Sequence, residues 1–214
     1  MYEFEHHKPA SVADAASAMK GADDGKLLAG GQTMIPTLKQ RLASPSDLVD
    51  LGGIAELKGI TVSGGTITIG AMTTHAAVAA SAEIKSALPA LAELADHIGD
   101  AQVRNRGTIG GSVANNDPAA DYPAACLALG ATIHTSQRDI AADDFFTGLF
   151  ETALEEDEII TKVSFPVASK AAYVKFPNPA SRYALVGVFV ADGPAGIRVA
   201  VTGAGQDGVF RVPE

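Results

Sequence analysis

TIGGSVANNDPAADYP, residues 108–123, and the shorter AGGQT, residues 29–33, decide how this chain is read. Each sets a Gly-Gly pair beside a hydroxyl or amide side chain, just after an apolar stretch. Glycine lets the backbone turn through conformations that a Cβ forbids and lets a ligand come close to main-chain N–H groups. Successive N–H groups directed into one concavity hold an anion without Lys or Arg. Two such concavities suit the two halves of a pyrophosphate, so the pattern points to a dinucleotide ligand.

Outward from AGGQT, residues 26–29 form a short apolar strand candidate, and MIPTLKQRL reads as a helix with Pro36 in its first turn, where a missing N–H does no harm. AGGQT is then a strand-to-helix turn, with a helix N-terminus facing whatever the glycines cradle. Ser11 and Asp14 resemble a capping box. Residues 48–51 predict a strand, and residues 60–62 and 67–69 alternate around Gly64-Gly65 as a hairpin. Helices are expected over 74–80 and 86–98, then a polar loop through residues 103–121 and an Ala-rich helix through Cys126. ATIHTSQRDIAA reads as a second hairpin and EIITKVSFP as one more strand. Two further strands are expected over 185–191 and 196–201. The pattern is mixed α+β, not the regular alternation of a doubly wound sheet.

The bulk properties narrow the function. A chain of 214 residues, 47% hydrophobic, can bury a substantial core in one domain or two modest ones. Its net charge of −9 repels phosphate backbones, so nucleic acid is not an expected partner. No apolar run approaches the roughly 18 residues of a spanning helix. MYEFEHHKPAS lacks the basic-then-apolar order of a secretory signal, and the expected location is cytoplasmic. The single cysteine, Cys126, allows no internal disulfide and no cluster of the usual four thiolates, so any iron–sulfur centre lies on another polypeptide. Cys126 itself reads as a small buried apolar residue.

Taken together, LLAGGQTMIPTLKQRL, TTHAAVAAS, IGDAQVRNRGTIGGSVANNDPAADYPAA, EIITKVSFP and KFPNPASRYALVGV resemble, in order, the FAD-binding subunit of the molybdenum hydroxylases, the group of carbon monoxide dehydrogenase and bacterial xanthine dehydrogenases. PASRYA leans toward the carbon monoxide dehydrogenase medium-subunit branch. The resemblance implies a two-subdomain FAD-binding fold of the vanillyl-alcohol-oxidase (PCMH) type over 1–170, split near 55–60, and a small C-terminal α+β domain from 171. That domain is expected to be incomplete at 214, with unpaired sheet edges and poorly buried final apolar residues. It also implies noncovalent FAD, held at Ala29, Gly30, Gly31, Gln32 and Thr33 on one part of the pyrophosphate and at Thr108, Ile109, Gly110, Gly111 and Ser112 on the other. Asp121 matches an acidic FAD contact, Ile98 and Ile160 match apolar positions lining the cofactor, Lys175 matches a lysine near the flavin, and Tyr183 resembles a tyrosine covering one face of the ring. A cation at Lys175 would stabilise an anionic reduced flavin. The implied partners are an iron–sulfur small subunit carrying [2Fe-2S] clusters and a large subunit carrying the molybdenum cofactor, as a dimer of heterotrimers. In that assembly this chain passes electrons on from FAD, with no acid, base or nucleophile of its own. A stand-alone flavin oxidase and a non-catalytic phosphate-ligand or assembly subunit are the alternatives.

Other features read more plainly. GAGQDG, residues 203–208, follows a strand and fits G-x-G-x-x-G, but no helix can open at its third glycine, so it is a loop. Ser112 lacks a nucleophile elbow and reads as a phosphate-contacting hydroxyl. Asp117, before Pro118, organises a turn. The histidines show no metal-ligand spacing. Arg104 and Arg106 reach a phosphate or a partner subunit, or are solvated loop charges. Residues 155–158 read as a solvated acidic turn.

Overall fold

The computed structural model describes residues 1–194 and 196–213. The chain opens with β1 (Glu5–His7), α1 (Val12–Gly21), β2 (Gly25–Leu28), α2 (Met34–Lys39) and β3 (Asp47–Asp50). The strands form a wholly parallel sheet in the order β1-β3-β2. Ser11 caps α1 by accepting from the Asp14 amide, as the capping-box reading expects. Ala15 of α1 packs with Val49, Leu51, Ile54 and Leu57 in a small core that Met72 and Ile159 join from the next unit.

Two 3-10 turns lead into β4 (Ile60–Ser63), β5 (Thr66–Gly70) and a run of helices: α3 (His75–Ala80), α4 (Ala82–Ala87), α5 (Pro89–Asp96), α6 (Ala101–Arg106), α7 (Ile109–Asn115) and α8 (Tyr122–Leu129). Then come β6 (Thr132–Thr135), β7 (Asp139–Ala141), α9 (Ala142–Phe145), the small hairpin β8 (Phe146–Gly148) and β9 (Glu151–Thr152), and β10 (Ile160–Pro166). Five of these strands form an antiparallel sheet, β4-β5-β10-β6-β7. Its inner face is strictly alternating: Ile67, Ile69, Val163, Phe165, Ile133 and Ile140 are all buried.

Beyond it, β11 (Lys170–Pro177), β12 (Ala184–Gly193), β13 (Gly196–Thr202) and β14 (Phe210–Arg211) form a second antiparallel sheet in chain order. Helix α8 lies between the two sheets and buries every residue, which is why its apolar side chains show no polar stripe. Cys126 is buried there, as expected.

Three expectations need correction. The helix expected over 86–98 is two: α4 ends at Ala87, and Pro89 starts α5 at a position where its missing N–H is tolerated. The polar loop expected over 103–121 is largely helical, because Asp100 accepts from the Val103 amide and Thr108 from the Gly111 amide, capping α6 and α7. The acidic turn over 155–158 is not solvated throughout. Glu158 is 2% exposed, paired with Arg138 at 3.0 Å, and accepts from the Thr135 hydroxyl and the Glu155 amide. Burial alone would raise its carboxyl, but these partners outweigh it and hold the pKa down at about 2.

Candidate cofactor site

The two glycine segments meet. AGGQT joins β2 to α2, and TIGGS caps and opens α7, which Gly107 and Thr108 join to α6. A Cβ on Gly30 would stand 2.2 Å from the Arg106 carbonyl oxygen and 2.7 Å from the Gly107 Cα, so only glycine allows this approach. Ala29 and a Cβ on Gly111 would lie 3.2 Å apart. Gly107 is closed in on its other side by His75, whose Nε2 would lie 2.6 Å from a Cβ there. The His75 amide donates to the Gly107 carbonyl at 3.0 Å. The second segment is thus wedged between Gly30 and His75. Sequence reading passed over both Gly107 and His75, although the TTH at the start of α3 marks a helix beginning.

The segments differ in what they offer a ligand. In the second, the amides are spent inside the protein: Ile109 donates to Thr73 O, Gly110 to Ala71 O, Gly111 to Thr108 Oγ1 and Ser112 to Thr108 O. In the first, among the described residues, no acceptor pairs the amides of Gly31, Gln32 and Thr33, and Gly31 adopts the left-handed conformation at φ 73. Successive free amides around such a residue make an anion nest. Gln32 folds its own amide group back onto the Gly30 carbonyl at 3.2 Å, and Thr33 starts α2 without a side-chain cap. The expectation of two equivalent N–H concavities therefore holds for the first segment only. The second brings close backbone approach and the partly exposed Ser112 hydroxyl.

A buried polar cluster lies at the start of α8. Asp121 is 4% exposed and Lys175 3% by its side chain, with Nζ 2.9 Å from Oδ1. Lys175 also donates to the His97 carbonyl at 3.0 Å, and the Tyr173 hydroxyl donates to Asp121. Burial pushes the Asp121 carboxyl up, and Lys175 and Tyr173 pull against it. Tyr183, 45% exposed, stands at the entrance to β12. Its phenol is pushed up by burial and by the nearby Asp117 and Asp121 carboxylates, which places it by the same cluster. Ile98 follows His97 and is half-buried; Arg104 donates to the carbonyls of Ile98 and Gly99 at 3.2 and 3.0 Å. That gives Arg104 a defined task in fixing this turn. Ile160, 5% exposed, is part of the main core at the start of β10. The ring of Tyr122, next to Asp121, lies 5.4 Å from that of His75, linking this cluster to the glycine segments.

Asn116, also unremarked in sequence, ends α7 in the left-handed region at φ 41. It donates through Nδ2 to the carbonyls of Gly148 and Glu151, anchoring the β8–β9 hairpin beside the site. Asp117 organises its turn as expected, accepting from the Ala119 amide at 2.8 Å.

The family model for the FAD binding domain in molybdopterin dehydrogenase matches residues 2–168. The chain belongs to this family. It is similar to the carbon monoxide dehydrogenase medium chain of Hydrogenophaga pseudoflava, 39% identical over 212 residues, 93% of this chain and 74% of that one. The nicotine 6-hydroxylase medium subunit of Paenarthrobacter nicotinovorans is 37% identical over 99% of this chain and 78% of that one. Among solved structures, carbon monoxide dehydrogenase from Hydrogenophaga pseudoflava superposes with a TM-score of 0.92 at 38% identity, covering 98% of this chain and 77% of that chain. Quinoline 2-oxidoreductase from Pseudomonas putida 86 gives 0.91 at 30% identity, covering 98% and 76%. The sequence resemblance is therefore established, and with it an α+β FAD-binding fold in a flavoprotein subunit of the molybdenum hydroxylase family.

The residues present fit the cofactor. The nest at Gly31, Gln32 and Thr33 supplies anion-binding amides, and the cradle at Gly30 is one that any Cβ would fill.

Proposed function

We propose that this chain is the electron-output subunit of a heteromeric molybdenum hydroxylase. The chain takes electrons from iron–sulfur clusters on a small partner subunit and delivers them to an external acceptor, while the substrate is oxidised at a molybdenum cofactor on a large subunit. A dimer of such heterotrimers in the cytoplasm is the proposed assembly. The observation that carries the reading is the wedging of the second glycine segment between Gly30 and His75, beside an open amide nest.

FAD, when bound, supplies the reversible electron acceptance. The chain's own residues bind and tune. Gly31, Gln32 and Thr33 offer amides to a phosphate; Gly110, Gly111 and Ser112 allow close backbone approach and add a hydroxyl; Ala29, Thr108 and Ile109 build the two turns. Asp121 accepts from a hydroxyl or amine, Ile98 and Ile160 add apolar surface, and Tyr183 covers a ring face. Lys175 brings a positive charge, but one already paired with Asp121 at 2.9 Å. Its field on the cofactor is therefore that of an ion pair and is weaker than that of a free ammonium.

The visible absorption of the protein purified gently from its native host tests this. Flavin bands above a broad iron–sulfur background are expected. Flavin bands alone, bleached by a substrate of the isolated chain, would favour a stand-alone oxidase. A colourless protein that FAD cannot reconstitute would overturn the cofactor assignment.

A further inference from the structure

Two side chains of one strand converge on one carboxylate. Tyr173 and Lys175 stand two apart on β11, so they leave the same face of the strand, and both reach Asp121 at the start of α8. Lys175 Nζ lies 2.9 Å from Oδ1 and 3.0 Å from Oδ2, and the Tyr173 hydroxyl donates to Oδ1. An ionised carboxylate has about four acceptor positions, two on each oxygen. The Tyr173 hydroxyl fills one position on Oδ1 and Lys175 fills one on Oδ2. One position stays open on each oxygen.

Room for the phenol is made by the neighbouring strand. Gly187 pairs with Lys175 across the β11–β12 ladder. A Cβ on Gly187 would stand 2.4 Å from the Tyr173 hydroxyl oxygen and 2.9 Å from Thr202 Cγ2. This glycine is required by the space it leaves for Tyr173 and not by its backbone conformation.

We propose that Tyr173 is a positioning residue of the FAD site: by holding Oδ1 it fixes the rotation of the Asp121 carboxylate, so that a remaining acceptor position meets a cofactor hydroxyl or amine, with Gly187 as the notch that admits the phenol. This rests on the FAD reading above. It gives Asp121 two tasks. One ties the second sheet to α8 through both oxygens, and the other offers a remaining acceptor position to the ligand.

The groups that face Asp121 are Lys175 and Tyr173 from β11, His97 after α5, Tyr122 within α8, and Tyr183 before β12. Of these, Lys175, the Tyr173 hydroxyl and His97 hold the carboxyl down against burial. Without the hydroxyl the carboxyl protonates more readily, and a protonated Asp121 no longer presents a charged acceptor. The loss of FAD affinity on acidification should then begin at higher pH.

The experiment is a titration of the full chain, stripped of flavin, with FAD from mildly acidic to neutral pH, followed by quenching of flavin fluorescence. Tyr173→Phe keeps the ring and removes only the hydroxyl; Gly187→Ala displaces the hydroxyl by filling its notch. Tyr173→Phe is expected to bind FAD about tenfold more weakly at neutral pH, the size of a hydrogen bond between FAD and the charged Asp121 carboxylate lost when that carboxylate is free to rotate. Its acid limb should also move to higher pH, and Gly187→Ala should move it in the same sense. Wild-type affinity in Tyr173→Phe, or an affinity reduced equally at every pH, overturns the proposal while leaving the FAD reading intact. A wild-type chain that binds no FAD at any pH overturns that reading, and this proposal with it.

Discussion

At the scale of single residues, His75 shows how packing changes the chemistry of an ordinary side chain. Its ring is 4% exposed, wedged against Gly107 and tilted against Tyr122. Desolvation, then the nearby Arg104 charge, lowers its pKa from 6.5 to about 4. At neutral pH the ring packed against Gly107 is therefore uncharged. As pH falls below 6.5 the unfolded chain takes up this proton first, so stability is fully present above 6.5 and declines until the folded form also protonates near 4. The loss amounts to about 3 kcal/mol, from a shift of roughly two and a half pH units. Urea unfolding over this range should show wild type losing that much more stability than His75→Phe; parallel losses would place the titrating group elsewhere. None of this was legible in the sequence, where His75 stood among scattered histidines. Burial of a single imidazole is a tertiary outcome. Gly30 was legible as a glycine that mattered, but its neighbour Gly107 became its partner only when two segments 77 positions apart closed together.

At the scale of elements, residues 101–115, which lead into and open the second segment, are a pair of short capped helices where a loop was expected from residue 103. Ile109–Asn115 holds only because Thr108 accepts from the Gly111 amide at 3.2 Å and because Ile109 and Gly110 donate into Thr73 and Ala71. Thr108→Val removes the cap while keeping the shape. It should cost about 1 kcal/mol of stability and weaken FAD binding as the first turn of α7 loosens, with Thr108→Ser restoring both. Calorimetry with a parallel FAD titration checks this; an unchanged Tm would show that the cap is redundant with the backbone bonds beneath it. The cap was readable, since Asp100 and Thr108 are ordinary N-cap residues. Glycine and asparagine content outweighed it, because those residues disfavour helix locally and tertiary hydrogen bonds supplied what propensity lacked. The reverse held for α1, where Ser11 and Asp14 announced the helix and no distant contact was needed.

For the whole molecule, the two antiparallel sheets are unequal. The inner faces of both pack on α8, but the outer face of the second sheet is apolar as well. Val174 is 71% exposed, Phe176 65% and Ile197 65%. Val188 stands between Val174 and Val201 in the ladder. Phe210 and Val212 are each 40% exposed. An apolar face of this kind promotes association of the isolated chain. Light scattering should show a mean mass that rises with concentration, and Val174→Lys should suppress the rise without lowering FAD affinity. A mass independent of concentration in wild type would refute the expectation. The strands themselves were legible in part: residues 185–191 and 196–201 were anticipated, whereas β11 was hidden by KAAYVKFP, whose alternation is apolar on one face and mixed on the other.

The sequence by itself determined the local grammar: the two glycine segments, the helix caps, the alternating strands of the five-stranded sheet, and a resemblance specific enough to identify the family. These are features set by neighbours within a few residues, or by motif order along the chain. Only the tertiary structure decided that the two glycine segments touch through Gly30 and Gly107, and that one keeps free amides while the other spends them. It also decided that Asp121 shares its carboxylate between Lys175 and Tyr173, and that Glu158 is buried in an acidic turn. Each depends on atoms more than 20 residues apart or on hydrogen bonds made across elements. The physical reason is the same in every case. A backbone amide or a carboxylate has a fixed capacity for partners, and the fold settles which partners it meets and what remains for a ligand.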